Sequence, residues 1–267
     1  MALHVFDRVA VEDEGDAGAP VVFCVHGLGG SSNTYTPLMP ALARHRVLRI
    51  DLPGSGRSQR VEGALTIQRM ADAVLSACAR LNIASAHFVG HSMGTIVCQH
   101  VAAQEPKRVK SLALFGPLIA PSDTARQGIA ARAAKLHAEG LTGMHEVALA
   151  LVQGALSAET RQRSPLAVAF VRESLMRQEP AAFARSCEAL AAAQPAAVDG
   201  IACPLLLVTG DEDAVAPPQA VRAMADRFHA SANKRVAVLP RTGHWTPIER
   251  PEDCQRELRE FLSGQRS

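Results

Sequence analysis

Aromatic side chains are scarce in this 267-residue sequence: 4% in all, with one Trp and one Tyr. So few flat surfaces make a stacking platform for polysaccharide or exposed bases a poor expectation. An excess of charge is also missing. Lys and Arg number 28 against 26 Asp and Glu, a formal net charge of +2, whereas nucleic-acid binders carry a marked basic imbalance. No nucleic-acid partner is expected. Long apolar runs are absent too. Val21–Val25 and Pro204–Val208 are strand-sized, far short of the about 18 residues of a membrane span, so no membrane partner is expected. The opening MALHVFDRVAVEDEGD has acids where an export signal has an apolar core, which makes a cytoplasmic location the expectation. Cys24, Cys78, Cys98, Cys187, Cys203 and Cys254 form neither a CxxC nor a zinc-ligand spacing. They read as small buried hydrophobes in a reducing compartment.

What is present is a rhythm. Short apolar runs at Val21–Val25, Val47–Ile50, His87–Val89, Ser111–Phe115, Leu205–Thr209 and Arg235–Leu239 suit parallel strands covered on both faces. Helical stretches intervene. Thr66–Leu81 sets Ile67, Met70, Ala71, Val74, Leu75 and Cys78 on one stripe, and Pro247–Leu262 shows similar spacing. Leu3–Val11 reads as an edge strand or hairpin. The pattern predicts an α/β fold, a mostly parallel twisted sheet with helices on both faces. Between Ile119 and Gly200 the rhythm lapses into Ala-, Leu- and Arg-rich sequence punctuated by Pro121, Pro165, Pro180 and Pro195. Three or four helices inserted between two sheet strands are expected there. Residues 1–118 and 201–267 then form the core domain, and 119–200 a helical cap.

The sharpest motif is Gly90-His91-Ser92-Met93-Gly94, between a strand-like run and the helical Thr95–Gln104. That is the setting of a G-x-S-x-G elbow, which lifts a nucleophilic Ser to the end of a strand. A serine hydroxyl needs a base, and the base an orienting acid. His244 follows the run Arg235–Leu239 and is the candidate base. Asp211, Glu212 and Asp213 follow Leu205–Thr209 and compete for the acid. Asp213 lies far enough into the loop to meet His244. Asp211 leaves the strand early and is expected to hold its own turn; Glu212 is expected to face solvent. An oxyanion would need two donors: the N–H of Met93, and the N–H of Leu28 in the loop His26-Gly27-Leu28-Gly29-Gly30. A phosphate cradle is the competing reading of that loop, but no Lys-Ser/Thr follows it, so no cofactor and no metal are expected. The loop Asp51–Ser58, rich in Gly and Pro, is expected to be structural.

With HGLGGSS, DLPGSGRS, GHSMG, GDEDAVAP and TGHWTPIERP in this order, the chain resembles the α/β-hydrolase superfamily. The resemblance implies Ser92 as nucleophile, Asp213 as acid and His244 as base. Ser at the elbow, where haloalkane dehalogenases and epoxide hydrolases place a carboxylate, speaks against those chemistries. The stretches Arg132–Met144, Phe183–Arg185 and Glu188–Leu190 are similar in layout to the 3-oxoadipate enol-lactonase group, which hydrolyses a small lactone carrying a carboxylate. Ala191–Pro195 departs from it, because that group tends to carry acids there. Arg126, Arg132, Lys135 and Arg185 are candidate carboxylate partners, with a solvated helix face as the plainer reading. Leu136, Leu141, Met144, Val147, Leu151 and Phe170 are candidates for cap core or pocket wall.

The expected activity is hydrolysis of a small-molecule carboxylic ester or lactone by a serine carboxylesterase or lactonase. Hydrolysis of a carbon–carbon bond in a ring-fission product, by the same three residues, is one alternative, and 3-oxoadipate enol-lactonase specifically is the other. A non-catalytic ligand receptor would not need all three. Substrate-contacting residues and oligomeric state have no signature in the sequence.

Overall fold

The computed structural model describes residues 1–59 and 62–265. Among the described residues eight strands make one sheet: β1 (Ala2–Phe6), β2 (Val9–Glu14), β3 (Val21–Val25), β4 (Arg46–Ile50), β5 (Ala86–His91), β6 (Val109–Phe115), β7 (Leu205–Gly210) and β8 (Lys234–Leu239). Their spatial order is β1-β2-β4-β3-β5-β6-β7-β8. The first two are antiparallel to their neighbours and the rest are parallel. The chain steps outward from β3 to β4, then returns to place β5 on the other side of β3. Such a reversal opens a crevice at the carboxyl ends of the two central strands, where α/β sheets bind ligands.

The central strands are buried along almost their whole length, as continuous apolar runs require. One face packs against α1 (Ile67–Arg80), α2 (Met93–Gln104) and α7 (Pro218–Arg227); Phe23 and Phe88 stack there at 5.6 Å. Thr66 caps α1 by accepting from the Arg69 N–H, and Ile67, Met70, Ala71, Val74 and Cys78 form its buried stripe, with Leu75 half-buried. The other face packs against α9 (Pro251–Ser263) and a 3₁₀ segment, Ser32–Leu42.

The predicted helix over Pro247–Leu262 divides into α8 (Thr246–Glu249) and α9, because Pro251 has no N–H to donate back to Pro247. Between β6 and β7 lie α3 (Asp123–Ala155), α4 (Ala158–Arg163), α5 (Pro165–Met176) and α6 (Pro180–Ala191). Within α3, Gly140 leaves helical geometry at φ 56°, so the long run bends there. These helices share a separate apolar cluster that includes Leu136, Met144, Val147, Val171, Leu175 and Phe183, joined by Trp245 from the loop after β8. Leu151 and Phe170 are half-buried against it, whereas Leu141 is 64% exposed and lies outside that core. Ala193, Ala196, Val198 and Ile201, after α6, pack into the core of the sheet.

Candidate active site

Ser92 joins β5 to α2 with φ 51° and ψ −122°, a conformation that costs a non-glycine residue about 1–3 kcal/mol and persists only when its surroundings impose it. They do. The Ser92 N–H donates to the Phe115 carbonyl at 2.9 Å, and the Ser92 carbonyl accepts from the Thr95 N–H at 2.8 Å and the Thr95 hydroxyl at 2.6 Å. A Cβ at Gly94 would lie 2.0 Å from the Val25 carbonyl oxygen. Only glycine lets the start of α2 press that closely on the end of β3.

The structure brings Ser92, His244 and Asp213 into one hydrogen-bonded line. His244 Nε2 is 2.8 Å from Ser92 Oγ, and His244 Nδ1 is 2.9 Å from Asp213 Oδ2. A carboxylate only accepts, so Nδ1 carries the proton and Nε2 is left to accept from the hydroxyl. Asp213 is buried, and its Oδ1 accepts from the N–H groups of Val215 and Ala216 at 2.8 and 2.7 Å. Burial raises its pKa, but His244 beside it and the two amides outweigh this and hold the carboxyl below the usual range. Ser92 and His244 are only 8% and 6% exposed.

The competing acids have other partners. Asp211 Oδ1 accepts from the Thr242 N–H at 3.1 Å, so it joins the loops after β7 and β8 rather than holding its own turn. Those loops interlock: a Cβ at Gly210 would sit 1.9 Å from the Thr242 carbonyl oxygen. Glu212 is exposed, yet its Oε2 accepts from the Ala158 N–H at 2.8 Å, capping the start of α4 instead of facing solvent alone.

Gly27 abuts Ser92, since a Cβ there would lie 2.7 Å from the Ser92 Cβ. Leu28 follows, half-buried between the cores of sheet and insertion. Met93 opens α2, where main-chain N–H groups lack helical acceptors. His26 braces this loop. Its Nε2 accepts from the Leu52 N–H at 2.9 Å, which leaves Nδ1 to donate to the Gly27 carbonyl at 2.7 Å. Burial lowers the His26 pKa and keeps the ring neutral. In the loop Asp51–Ser58, the Asp51 carboxylate accepts from the N–H groups of Ser32 and Arg57 and from Arg57 Nε. That loop acts as a brace.

Arg126, Arg132 and Lys135 of the insertion lie against protein groups. Arg126 donates to the carbonyls of Ala191 and Ala193, Arg132 lies beside Cys187, and Lys135 lies between Glu139 and Glu146. Arg185 lines a surface cleft with Arg57 and Glu179. Burial pushes the Cys24, Cys78 and Cys187 thiols up to about 12 and half-buried Cys203 to about 11, so none offers a thiolate at neutral pH. Among the described residues no cluster of three His, Cys, Asp or Glu could hold a metal ion, and no helix is long and apolar enough to cross a membrane. Three contacts escaped the sequence reading: His26 on Gly27, His91 on the His244 carbonyl at 2.9 Å, and Glu249 on the amides either side of His244. All three residues lie inside sequence motifs: His26 in HGLGGSS, His91 in GHSMG and Glu249 in TGHWTPIERP.

Comparison with known proteins adds the family. The profile described as "alpha/beta hydrolase fold" matches residues 20–251. The chain is 30% identical over 269 residues to the dihydrolipoyllysine-residue acetyltransferase component of the acetoin cleaving system of Pseudomonas putida, covering 93% of this chain and 64% of that protein's length. Among solved structures, an esterase from Thermogutta terrifontis superposes with a TM-score of 0.87 at 27% identity, over 97% of this chain and 94% of that one. The enol-lactonase of Burkholderia xenovorans LB400 superposes with a TM-score of 0.87 at 28% identity, over 98% of this chain and 100% of that one. With the match running from before the loop at Gly27 to beyond His244, the chain belongs to the alpha/beta hydrolase fold family and is a hydrolase with esterase- and enol-lactonase-like relatives.

Proposed function

We propose that the protein hydrolyses a small carboxylic ester or lactone through an acyl-enzyme on Ser92. His244 Nε2 takes the hydroxyl proton as Ser92 Oγ bonds to the carbonyl carbon, and Asp213 stabilises the imidazolium. The carbonyl electron pair moves to oxygen, where the N–H groups of Leu28 and Met93 receive it. As the intermediate collapses, the bond to the leaving alkoxide breaks and His244 returns the proton to it. Water, deprotonated by His244, then attacks the acyl carbon and frees Ser92. A lactone gives the same acyl-enzyme with its alcohol still attached.

The observation that carries this reading is the unbroken line from Ser92 Oγ through His244 to Asp213, at 2.8 and 2.9 Å. The abutment of Gly27 on Ser92 supports Leu28 as a donor. The small exposure of Ser92 and His244 supports residues 119–200 as a cap that admits substrate and sets its size. The likeness to an esterase and an enol-lactonase supports esters and lactones as the substrate class.

Ser92→Ala is expected to lose about 10³-fold or more of p-nitrophenyl acetate hydrolysis while its thermal unfolding stays cooperative. Turnover at the wild-type rate would remove Ser92 from the reaction. A panel of esters, lactones and a dienoic ring-fission ketone, compared by kcat/KM, tests the substrate class; preference for the ketone would move the activity to carbon–carbon cleavage.

A further inference from the structure

Glu249, at the end of α8, is 6% exposed, and among the described residues no cation pairs with it. Burying a carboxyl group is costly unless hydrogen bonds replace its water. Here main-chain amides do so. Oε2 accepts from the Ser157 N–H at 2.8 Å and the Gly243 N–H at 3.1 Å, and Oε1 from the Trp245 N–H at 3.1 Å. Gly243 and Trp245 flank His244. The peptide groups of His244 are held as well: its N–H donates to the Ala155 carbonyl at 2.7 Å, and its carbonyl accepts from His91 Nε2 at 2.9 Å.

The contact is close because residue 243 is glycine. A Cβ there would lie 2.6 Å from the Ala155 carbonyl oxygen, 2.7 Å from the Ser157 nitrogen and 2.9 Å from Glu249 Oε1. The backbone that leads from α3 into α4 therefore rests directly on the loop that carries His244, and one carboxyl group reaches both. None of these bonds touches the imidazole, so they fix the main chain from which the ring projects.

We propose that Glu249 is a positioning residue: it anchors residues 243–245 to the Ala155–Ser157 turn, and so holds the His244 ring in line with Ser92. The proposal rests on the reading of His244 as the base. It gives the insertion a second role besides covering the crevice, since the turn after α3 forms one wall of the mount for that base.

Glu249→Gln keeps the side-chain volume but sets an NH₂ against an amide that needs an acceptor. With a short p-nitrophenyl ester, kcat is expected to fall about 10–10²-fold with KM within about threefold, the mark of lost alignment rather than lost binding. In a His244→Ala background the same substitution should have almost no further effect on the residual rate, because its action passes through the ring. Unchanged kcat, a change in KM alone, or an equal loss in both backgrounds would overturn the proposal. Should Glu249→Gln fail to fold, Glu249→Asp, which keeps both oxygens one methylene short, is judged by the same criteria. Ser92→Ala, assayed alongside, separates the outcomes: activity retained there refutes the serine mechanism itself and not the role of Glu249 alone.

Discussion

Asp213 shows how a single carboxylate is tuned by what surrounds it. Its Oδ1 is occupied by the amides of Val215 and Ala216, leaving Oδ2 to the His244 Nδ1 proton. An amide in its place could offer the ring an NH₂ instead, and the imidazole would turn to the tautomer that cannot take a proton from Ser92. Asp213→Asn is therefore expected to lower kcat by about 10⁴-fold with the fold intact. Loss of less than about tenfold would pass the orienting role to another acid. The meeting of Ser92, Asp213 and His244 was legible because each follows a strand-like run by a few residues. His26 and Glu249 were not. They bond main-chain groups, which leave no residue-type signature, and Glu249 reaches Ser157 across 92 residues of sequence.

The loops around Ser92 are stiffened by elements far away in the chain. Buried Gln178, just past the end of α5, donates from Nε2 to the Gly29 carbonyl at 3.3 Å and accepts at Oε1 from the Gly56 N–H at 3.1 Å. Ser174, one turn earlier, donates to the same Gly29 carbonyl at 2.7 Å. The insertion thus grips the loop that contains Leu28. Gln178→Ala strands the Gly56 N–H in a part-buried site and is expected to cost about 1–3 kcal/mol in urea unfolding; a shift below about 0.3 kcal/mol would show that these bonds carry no weight. The parallel strands were readable because burial on both faces demands unbroken apolar runs. The segment Ser32–Leu42 was not, since Pro37 and Pro40 interrupt α-helical bonding and leave a 3₁₀ path with no plain period. The hairpin expected over Leu3–Val11 forms and closes at Asp7-Arg8, whose two positive φ angles are held without the Gly such turns favour at the second position.

Across the whole molecule, burial keeps several histidines neutral. It lowers the His26 pKa, takes His87 down to about 4 with Lys110 and His45 adding to the effect, and, with His244 nearby, takes His91 down to about 3. The unfolded chain binds protons at these sites near pH 6.5, so the folded state has its full advantage above that pH. It loses that advantage as the pH falls toward about 4 for His87 and about 3 for His91. Each such histidine contributes a slope of roughly 1.4 kcal/mol per pH unit inside its window. Asp213 acts in the same direction lower down, where its stabilisation disappears as the pH drops through its lowered folded-state value, below 3.8. Urea midpoints measured from pH 7.5 to 4.5 should be level near the top of the range and decline below about pH 6.5; a flat profile would contradict the burial of neutral rings.

A covalent probe of Ser92 decides whether its hydroxyl attacks. One equivalent of a fluorophosphonate, followed by intact mass and peptide mapping, should place a single adduct on Ser92. Ser92→Ala should stay unmodified, and His244→Ala should react far more slowly. A wild-type protein that remains unlabelled, or that loses activity through an adduct on another residue, would contradict a nucleophile at the turn between β5 and α2.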